Sequence, residues 1–464
     1  MTTATDPQPR DAQKMEKIVS LCKRRGFIFQ SSEIYGGLNG AWDYGPLGVE
    51  LKRAVKDHWW RHMTQLRDDI VGMDGSILMN RAVWKASGHE TTFSDPMVDC
   101  KTCKKRFRAD QLDTSECGQK PSKTPATCGG DFTEARAFNL MFKTYVGPVE
   151  DDSSMAYLRP ETAQAMFVQF KNVLEVARKK LPFGIVQIGK AFRNEINPRN
   201  FTFRSREFEQ MELEYFIPDS EADGLRWTDY WLEERLKWYE SIGIPRSKIH
   251  IYDVPKEKLA HYSKKTYDLE YHFPFGVQEL EGIAYRTDFD LKQHQNASGK
   301  PLEYFDEEQK RKFIPHVVEP SAGVDRTVLA ILCEAYAEEE VKDEAGKTET
   351  RTVLRFAPCI APIKCGIFPL LKNKPELVAK AKEVRDLLRN HMTIFYDDAG
   401  AIGRRYRRQD EAGTPFGVTI DFDTLGEKGP ELKDTVTLRE RDSMKQERVK
   451  ISSLLETLMP KIRT

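Results

Sequence analysis

The segment Phe192-Arg193-Asn194-Glu195 is followed closely by Arg204-Ser205-Arg206-Glu207-Phe208. Together they bring arginines, a carboxylate and an aromatic ring around one expected β-hairpin. Planar guanidinium forks match phosphate oxygens, a carboxylate accepts from an adenine amino group, and a ring stacks on a base. This is the chemistry of an ATP site. The chain contains no GxxxxGK[ST] segment, so the phosphates would not be held by a P-loop.

The elements that must position these residues are legible from periodicity. Ile185, Val186, Ile188 and Phe192 make a β-prone run from Gly184, and a second run from Phe203 to Ile217 alternates strictly. A period of two sends Met211, Leu213, Tyr215 and Ile217 into a core and Arg204, Arg206, Phe208, Gln210, Glu212 and Glu214 to the opposite face. Read alone, that polar face is a solvated one. The turn-forming stretch Asn194 to Thr202 lies between the runs.

The pattern FRxE, loop, RxxxF, then the acid Glu212, resembles motif 2 of class II aminoacyl-tRNA synthetases, and the surrounding sequence is similar to the dimeric glycyl-tRNA synthetases. The resemblance runs from about Met15 to Ile462. It implies an α+β fold, an antiparallel sheet flanked by helices, and ATP-dependent transfer of glycine to tRNA(Gly) through an adenylate. It assigns ATP to Arg193, Asn194, Glu195, Phe203, Arg204, Ser205, Arg206, Glu207 and Phe208. Arg193 would act on the α-phosphate, Arg204 on the γ end, Phe208 under the adenine and Glu195 at its amino group. Glycine would be met by Phe208, Glu209, Gln210, Met211 and Glu212.

Other segments extend the resemblance. Pro46 precedes a stretch, Val49 to Arg67, with Leu51, Val55, His58, Trp59, Met63 and Leu66 at helical spacing; it resembles motif 1, which implies a homodimer, although an ordinary core helix explains the periodicity equally well. Glu319-Pro320-Ser321-Ala322-Gly323-Val324-Asp325-Arg326 resembles motif 3. Gly323 permits close backbone approach and Arg326, in a first helical turn, reaches a phosphate. The family pattern places Glu279 and Leu280 at the ATP, and strand alternation puts Glu279 and Glu281 on one side, where they would hold Mg²⁺. Glu161, Glu319 and Ser321 would surround the glycine ammonium, with Pro320, Ala322 and Gly323 beside it. Arg108, in Arg106-Phe107-Arg108, is a further candidate near the amino acid, set against a merely solvated arginine.

With 464 residues the chain is too long for a single core. Balanced charge, 72 basic against 72 acidic residues, gives no global attraction to nucleic acid, so a tRNA must be met by local patches. The polar start without an apolar h-region, and the lack of any long apolar run, predict a soluble cytoplasmic protein with no membrane role. Of the eight cysteines, Cys100, Cys103, Cys117 and Cys128 cluster in one polar stretch. Cys100-Lys-Thr-Cys103 is half of a zinc knuckle, whereas ten residues separate Cys117 from Cys128. A structural Zn²⁺ and a set of reduced thiols both fit this pattern.

The expected organisation is a catalytic domain over 1–336, carrying insertions at 81–154 and 218–275, an exposed linker at 337–355, and a mixed α/β domain at 356–464. The last resembles the anticodon-binding domain of class II synthetases. Its run Arg404, Arg405, Arg407 and Arg408 fits a phosphate contact and an ordinary solvated helical face equally well. The competing function is a non-catalytic, synthetase-like tRNA-binding accessory protein, disfavoured because the charged residues of the site are present.

Overall fold

The computed structural model describes residues 9–113, 115–120, 122–342 and 348–463. Seven strands form the central sheet: β1 (Ile70–Gly72), β2 (Phe183–Phe192), β3 (Glu207–Ile217), β4 (Ile249–Asp253), β5 (Lys265–Phe273), β6 (Gly276–Thr287) and β7 (His316–Gly323). Their order is β4-β5-β6-β7-β3-β2-β1, antiparallel throughout except for the β1/β2 edge. The region 218–275 is therefore not an appendage. It supplies a helix, Glu221–Ser241, and two strands that hydrogen-bond into the central sheet.

The strict alternation of β3 gives it two buried faces. Met211, Leu213, Tyr215 and Ile217 enter the main core with the helices Pro46–Trp60, Glu221–Ser241 and Val324–Ala335. The other face carries Gln210, Glu212 and Glu214, all buried, so the reading of this polar face as merely solvated does not hold. Farther along this face Phe216 joins Phe167, Phe170 and Phe183 in a second core beneath the helix Ala163–Ala177. Arg204 and Arg206 precede the strand and do not belong to either face.

The helix Pro46–Trp60 begins with proline in its first turn, where no intrahelical N–H is needed. Leu51, Val55, Trp59 and Met63 are buried in the chain's own core, and Trp238 donates to His58 Nδ1 at 3.1 Å. The apolar stripe thus faces inward, and of the six residues only Leu66 is strongly exposed. Gly48 is required here: a Cβ at that position would lie 1.8 Å from the Phe27 carbonyl oxygen.

The stretch 337–355 also departs from expectation. Tyr336–Lys342 and Thr348–Leu354 pair as a hairpin, with residues 343–347 outside the described ones. Arg351 is fully buried, donating to Asp410 at 2.8 Å and to the Arg441 carbonyl at 2.6 Å. The hairpin therefore packs on the C-terminal sheet domain, whose five strands run in the spatial order Ile394–Tyr396, Cys365–Pro369, Phe416–Ile420, Thr435–Glu440, Gln446–Lys450. In the helix Ile402–Ala412, Arg405 is buried and donates to the Pro369, Asp398 and Gly400 carbonyls. Arg407 pairs with Glu349 and Arg408 with Asp397. Only Arg404 of the four stays exposed without a side-chain partner among the described residues, so the run is mainly structural.

Candidate active site

The end of β2, the start of β3, the β6 bulge and the β7-to-helix junction converge on a solvent-open cleft of about 150 Å³. It is lined by Arg193, Glu195, Thr202, Phe203, Arg204, Ser205, Phe208, Gln210, Glu279, Leu280, Ser321, Gly323, Asp325 and Arg326. The Arg193 guanidinium lies over the Phe208 ring at 5.3 Å and donates to the Pro160 carbonyl at 3.0 Å. Arg326 stacks on Phe203 at 4.4 Å, and Arg204 bridges to Glu195 at 3.3 Å. The Arg326 pKa is lowered, chiefly by burial, with Glu279 opposing. Three guanidinium groups thus share one cleft, an arrangement suited to polyphosphate.

Several candidates stand outside the cleft lining. Asn194 donates its backbone N–H to Leu140, and Arg206 is spent on the Glu195 and Asn39 carbonyls, tying the loop after β2 to the N-terminal turn. Glu207 is an exposed partner of Lys190. Glu209 points to the opposite side of β3, toward Lys52 and Lys56, while Met211, Ala322 and Val324 are core residues. Asp325 forms part of the cleft wall, but its oxygens accept from Tyr44 at 2.6 Å, Lys52 at 2.8 Å and the Glu209 N–H at 2.8 Å. It locks the three motif-bearing segments together. Arg108 is held by Asp95 and Asp110.

The expected Glu279/Glu281 pair is split by a β-bulge: Glu270 faces Glu279, yet the next residue, Leu269, faces Glu281, so Leu280 is extra. Glu279 and Leu280 reach the cleft, whereas Glu281 is buried against Arg235 at 2.6 Å.

Beyond Gln210 and Ser321 the cleft meets a set of buried carboxylates. Glu212 accepts from Ser321 Oγ at 2.7 Å, Gln210 Nε2 at 2.7 Å and Thr162. Glu319 accepts from Arg286 Nη1 at 2.9 and 3.0 Å, and Asp290 accepts from the other side of the same guanidinium at 2.8 and 2.9 Å. Glu161 accepts from Gln164 at 2.9 Å and lies 3.2 Å from His89 Nε2. Pro320 is a buried link between Glu319 and Ser321 on β7.

Burial opposes charge on Glu161, but His89 and Arg286 outweigh it and hold this carboxyl well below the usual range. Glu319 is pushed up to about 7 by burial, against Arg286 and with Glu212 and Glu161 adding to the rise. Glu214, fully buried with neither oxygen hydrogen-bonded, is raised far above the ordinary value by burial and by Glu319.

Two family models match the chain: "tRNA synthetase class II core domain (G, H, P, S and T)" over residues 142–335 and "Anticodon binding domain" over 364–460. Glycine–tRNA ligases of Thermobifida fusca and Treponema denticola are each 52% identical, over 97% of this chain and 98% and 97% of their own lengths. That of Thermus thermophilus is 49% identical over 96% of this chain and 98% of its own length. The chain belongs to the glycine–tRNA ligase family. Its fold is accordingly a class II synthetase core joined to an anticodon-binding domain.

Sequence reasoning missed Arg286, Gln164, Asp290 and His89, all of them partners of the carboxylates. Arg286 and Asp290 were visible as Arg286-Thr-Asp-Phe-Asp290, an i,i+4 pair, but nothing local announces Glu319 as the third member.

In the inserted segment, Cys100, Cys103, Cys117 and Cys128 are reduced and their thiols touch one another: Cys117 meets Cys103 and Cys128, and Cys100 meets Cys103. Backbone N–H groups of Gln119 and Lys120 lower the Cys117 pKa, and that of Cys103 lowers the Cys100 pKa. Among the described residues no group of three or more His, Cys, Asp or Glu is set out as a metal site. No helix among them is long and apolar enough to cross a membrane.

Proposed function

We propose that this chain joins glycine to tRNA(Gly) in two steps in one site. The glycine carboxylate attacks the α-phosphorus of ATP, pyrophosphate leaves, and a ribose hydroxyl of the tRNA end then attacks the glycyl carbonyl, releasing AMP. The observation that carries this reading is the junction, at Gln210 and Ser321, of an arginine-lined cleft with a cluster of carboxylates: both residues line the cleft and both donate to Glu212. One compartment suits a triphosphate and the other an ammonium group.

In this reading Arg193 stabilises charge growing on the α-phosphate, and Arg204 and Arg326 bind the γ end. Arg204 exchanges its contact with Glu195 for phosphate, which frees Glu195 to accept from the adenine amino group over Phe208. No covalent nucleophile is needed. Orientation of bound reactants supplies as much as about 7–11 kcal/mol in favourable cases. Glu161, Glu212, Glu319 and Ser321 receive the ammonium and leave no room for a side chain on the α-carbon, so discrimination is steric and needs no editing site.

Magnesium carried on the phosphates would meet Glu279, beside which Asp268 is pushed up to about 7 by burial and by Glu279 and Glu270. A structural zinc would draw on Cys100, Cys103, Cys117 and Cys128, whose mutual contacts and N–H donors suit thiolate ligation. A homodimer would use the exposed apolar residues Ile34, Tyr35 and Leu38, in the turns before the motif 1 helix, and Val49 in its first turn. The cytoplasm supplies the tRNA and ATP.

The accessory-protein reading is weaker, because its site has no reason to keep three guanidinium groups in one cleft. Charging of a tRNA(Gly) transcript with labelled glycine tests the proposal: glycyl-tRNA forms with ATP present, and its absence from a protein that still binds the transcript would favour the accessory reading.

A further inference from the structure

His89 stands on the inserted segment, in the one-turn helix His89–Thr92. Its ring packs between Trp84, at 5.5 Å, and Phe93, at 5.4 Å, and its Nδ1 lies 2.8 Å from Ser87 Oγ. Its backbone carbonyl accepts from Asn139 at 3.2 Å. The ring is therefore held by two aromatic neighbours and at one nitrogen. The remaining nitrogen, Nε2, faces Glu161 Oε2 at 3.2 Å. At this distance the ring nitrogen and the carboxylate stand as ion-pair partners.

The other oxygen of Glu161 is fixed independently. Gln164 Nε2 donates to Glu161 Oε1 at 2.9 Å and to Asp290 Oδ1 at 3.0 Å, while Gln164 Oε1 pairs with His294 Nε2 at 2.7 Å. Every polar atom of that amide is engaged, so it does not rotate. Glu161 thus has a partner at each oxygen, a hydrogen bond from Gln164 of the catalytic core at Oε1 and an ion-pair contact with His89 of the insertion at Oε2. Phe93, against which His89 packs, also lies under the Arg193 guanidinium at 5.4 Å.

We propose that His89 is a positioning residue for the amino acid: it orients the Glu161 carboxylate toward the glycine ammonium, and through it the inserted segment becomes part of the amino-acid site. This rests on the assignment of Glu161 to the ammonium. His89 touches neither substrate nor phosphate, so its effect falls on glycine affinity and not on ATP.

The test is glycine-dependent pyrophosphate exchange by the full chain carrying His89→Leu, His89→Gln or Glu161→Gln. The terminal amide of His89→Gln can replace the Nε2 donor. Loss of a hydrogen bond to a charged group corresponds to roughly a 10-fold rise in KM for glycine. The expected pattern is that rise in His89→Leu, an unchanged KM for ATP, and recovery to within about 3-fold in His89→Gln. If His89→Leu leaves glycine KM unchanged while Glu161→Gln raises it, the His89 assignment is overturned and that of Glu161 stands. If both KM values move in His89→Leu with no recovery in His89→Gln, its role is only to hold the fold, which also overturns the proposal. If Glu161→Gln leaves glycine KM unchanged, the assignment of Glu161 is itself wrong and that of His89 falls with it.

Discussion

Arg286 donates through a single guanidinium nitrogen to both carboxylate oxygens of Glu319, at 2.9 and 3.0 Å, deep beneath the cleft. The guanidinium is held charged despite burial by Asp290 and Glu319. Replacing Arg286 by alanine leaves two buried acids without their cation. We expect a loss of about 3–5 kcal/mol of stability, read as a lowered urea midpoint, together with loss of exchange activity. An unchanged midpoint would mean that the acids find other partners or neutralise.

The carboxylate cluster has a pH signature. Glu319 titrates near 7 in the folded chain, against an ordinary value of 4.5, because burial disfavours its charge. The fold therefore binds this proton more tightly than the unfolded chain does. The resulting stabilisation is full below 4.5 and is lost as pH rises through about 7. Activity runs the other way, since the ionised form receives the ammonium. KM for glycine should fall as pH rises through about 7, and Glu319→Gln should lack that limb.

What the sequence disclosed and what it hid follow from range. The alternation of β3 sorted Met211 from Glu212 correctly because adjacent residues carry that signal. The burial of Glu212 and Glu214 was hidden because it depends on helices packed from elsewhere in the chain. The Glu279/Glu281 pairing failed at a bulge that no residue type advertises, and the burial of Arg405 within the arginine run was not legible because it turns back onto carbonyls brought in by the fold of its own domain. The Arg286–Glu319 and His89–Glu161 relationships join distant segments, so only tertiary structure shows them.

The hairpin joint offers a separation of functions. Asp410 receives Arg351 at 2.8 Å and Arg439 at 3.1 Å, all three buried. Asp410→Asn should cost about 3–5 kcal/mol at this joint. It should raise KM for tRNA in charging while leaving exchange without tRNA within about 2-fold, an effect near the scale of a surface change. Equal damage to both assays would show that the joint supports the catalytic core as well.

Elemental analysis decides the cysteine cluster. One zinc per chain, released by a chelator and absent from Cys100→Ser, would assign the cluster to metal; a chain purified without added chelator that carries no zinc would leave four reduced thiols, as the structure describes them.

The central claim is tested most directly by exchange of labelled pyrophosphate into ATP, with glycine, alanine or serine supplied and Arg193→Ala beside the parent chain. Exchange should require glycine and fall about 10²–10³-fold in the variant, the loss expected for one preorganised transition-state donor. Exchange supported equally by alanine, or undiminished without Arg193, would contradict the account.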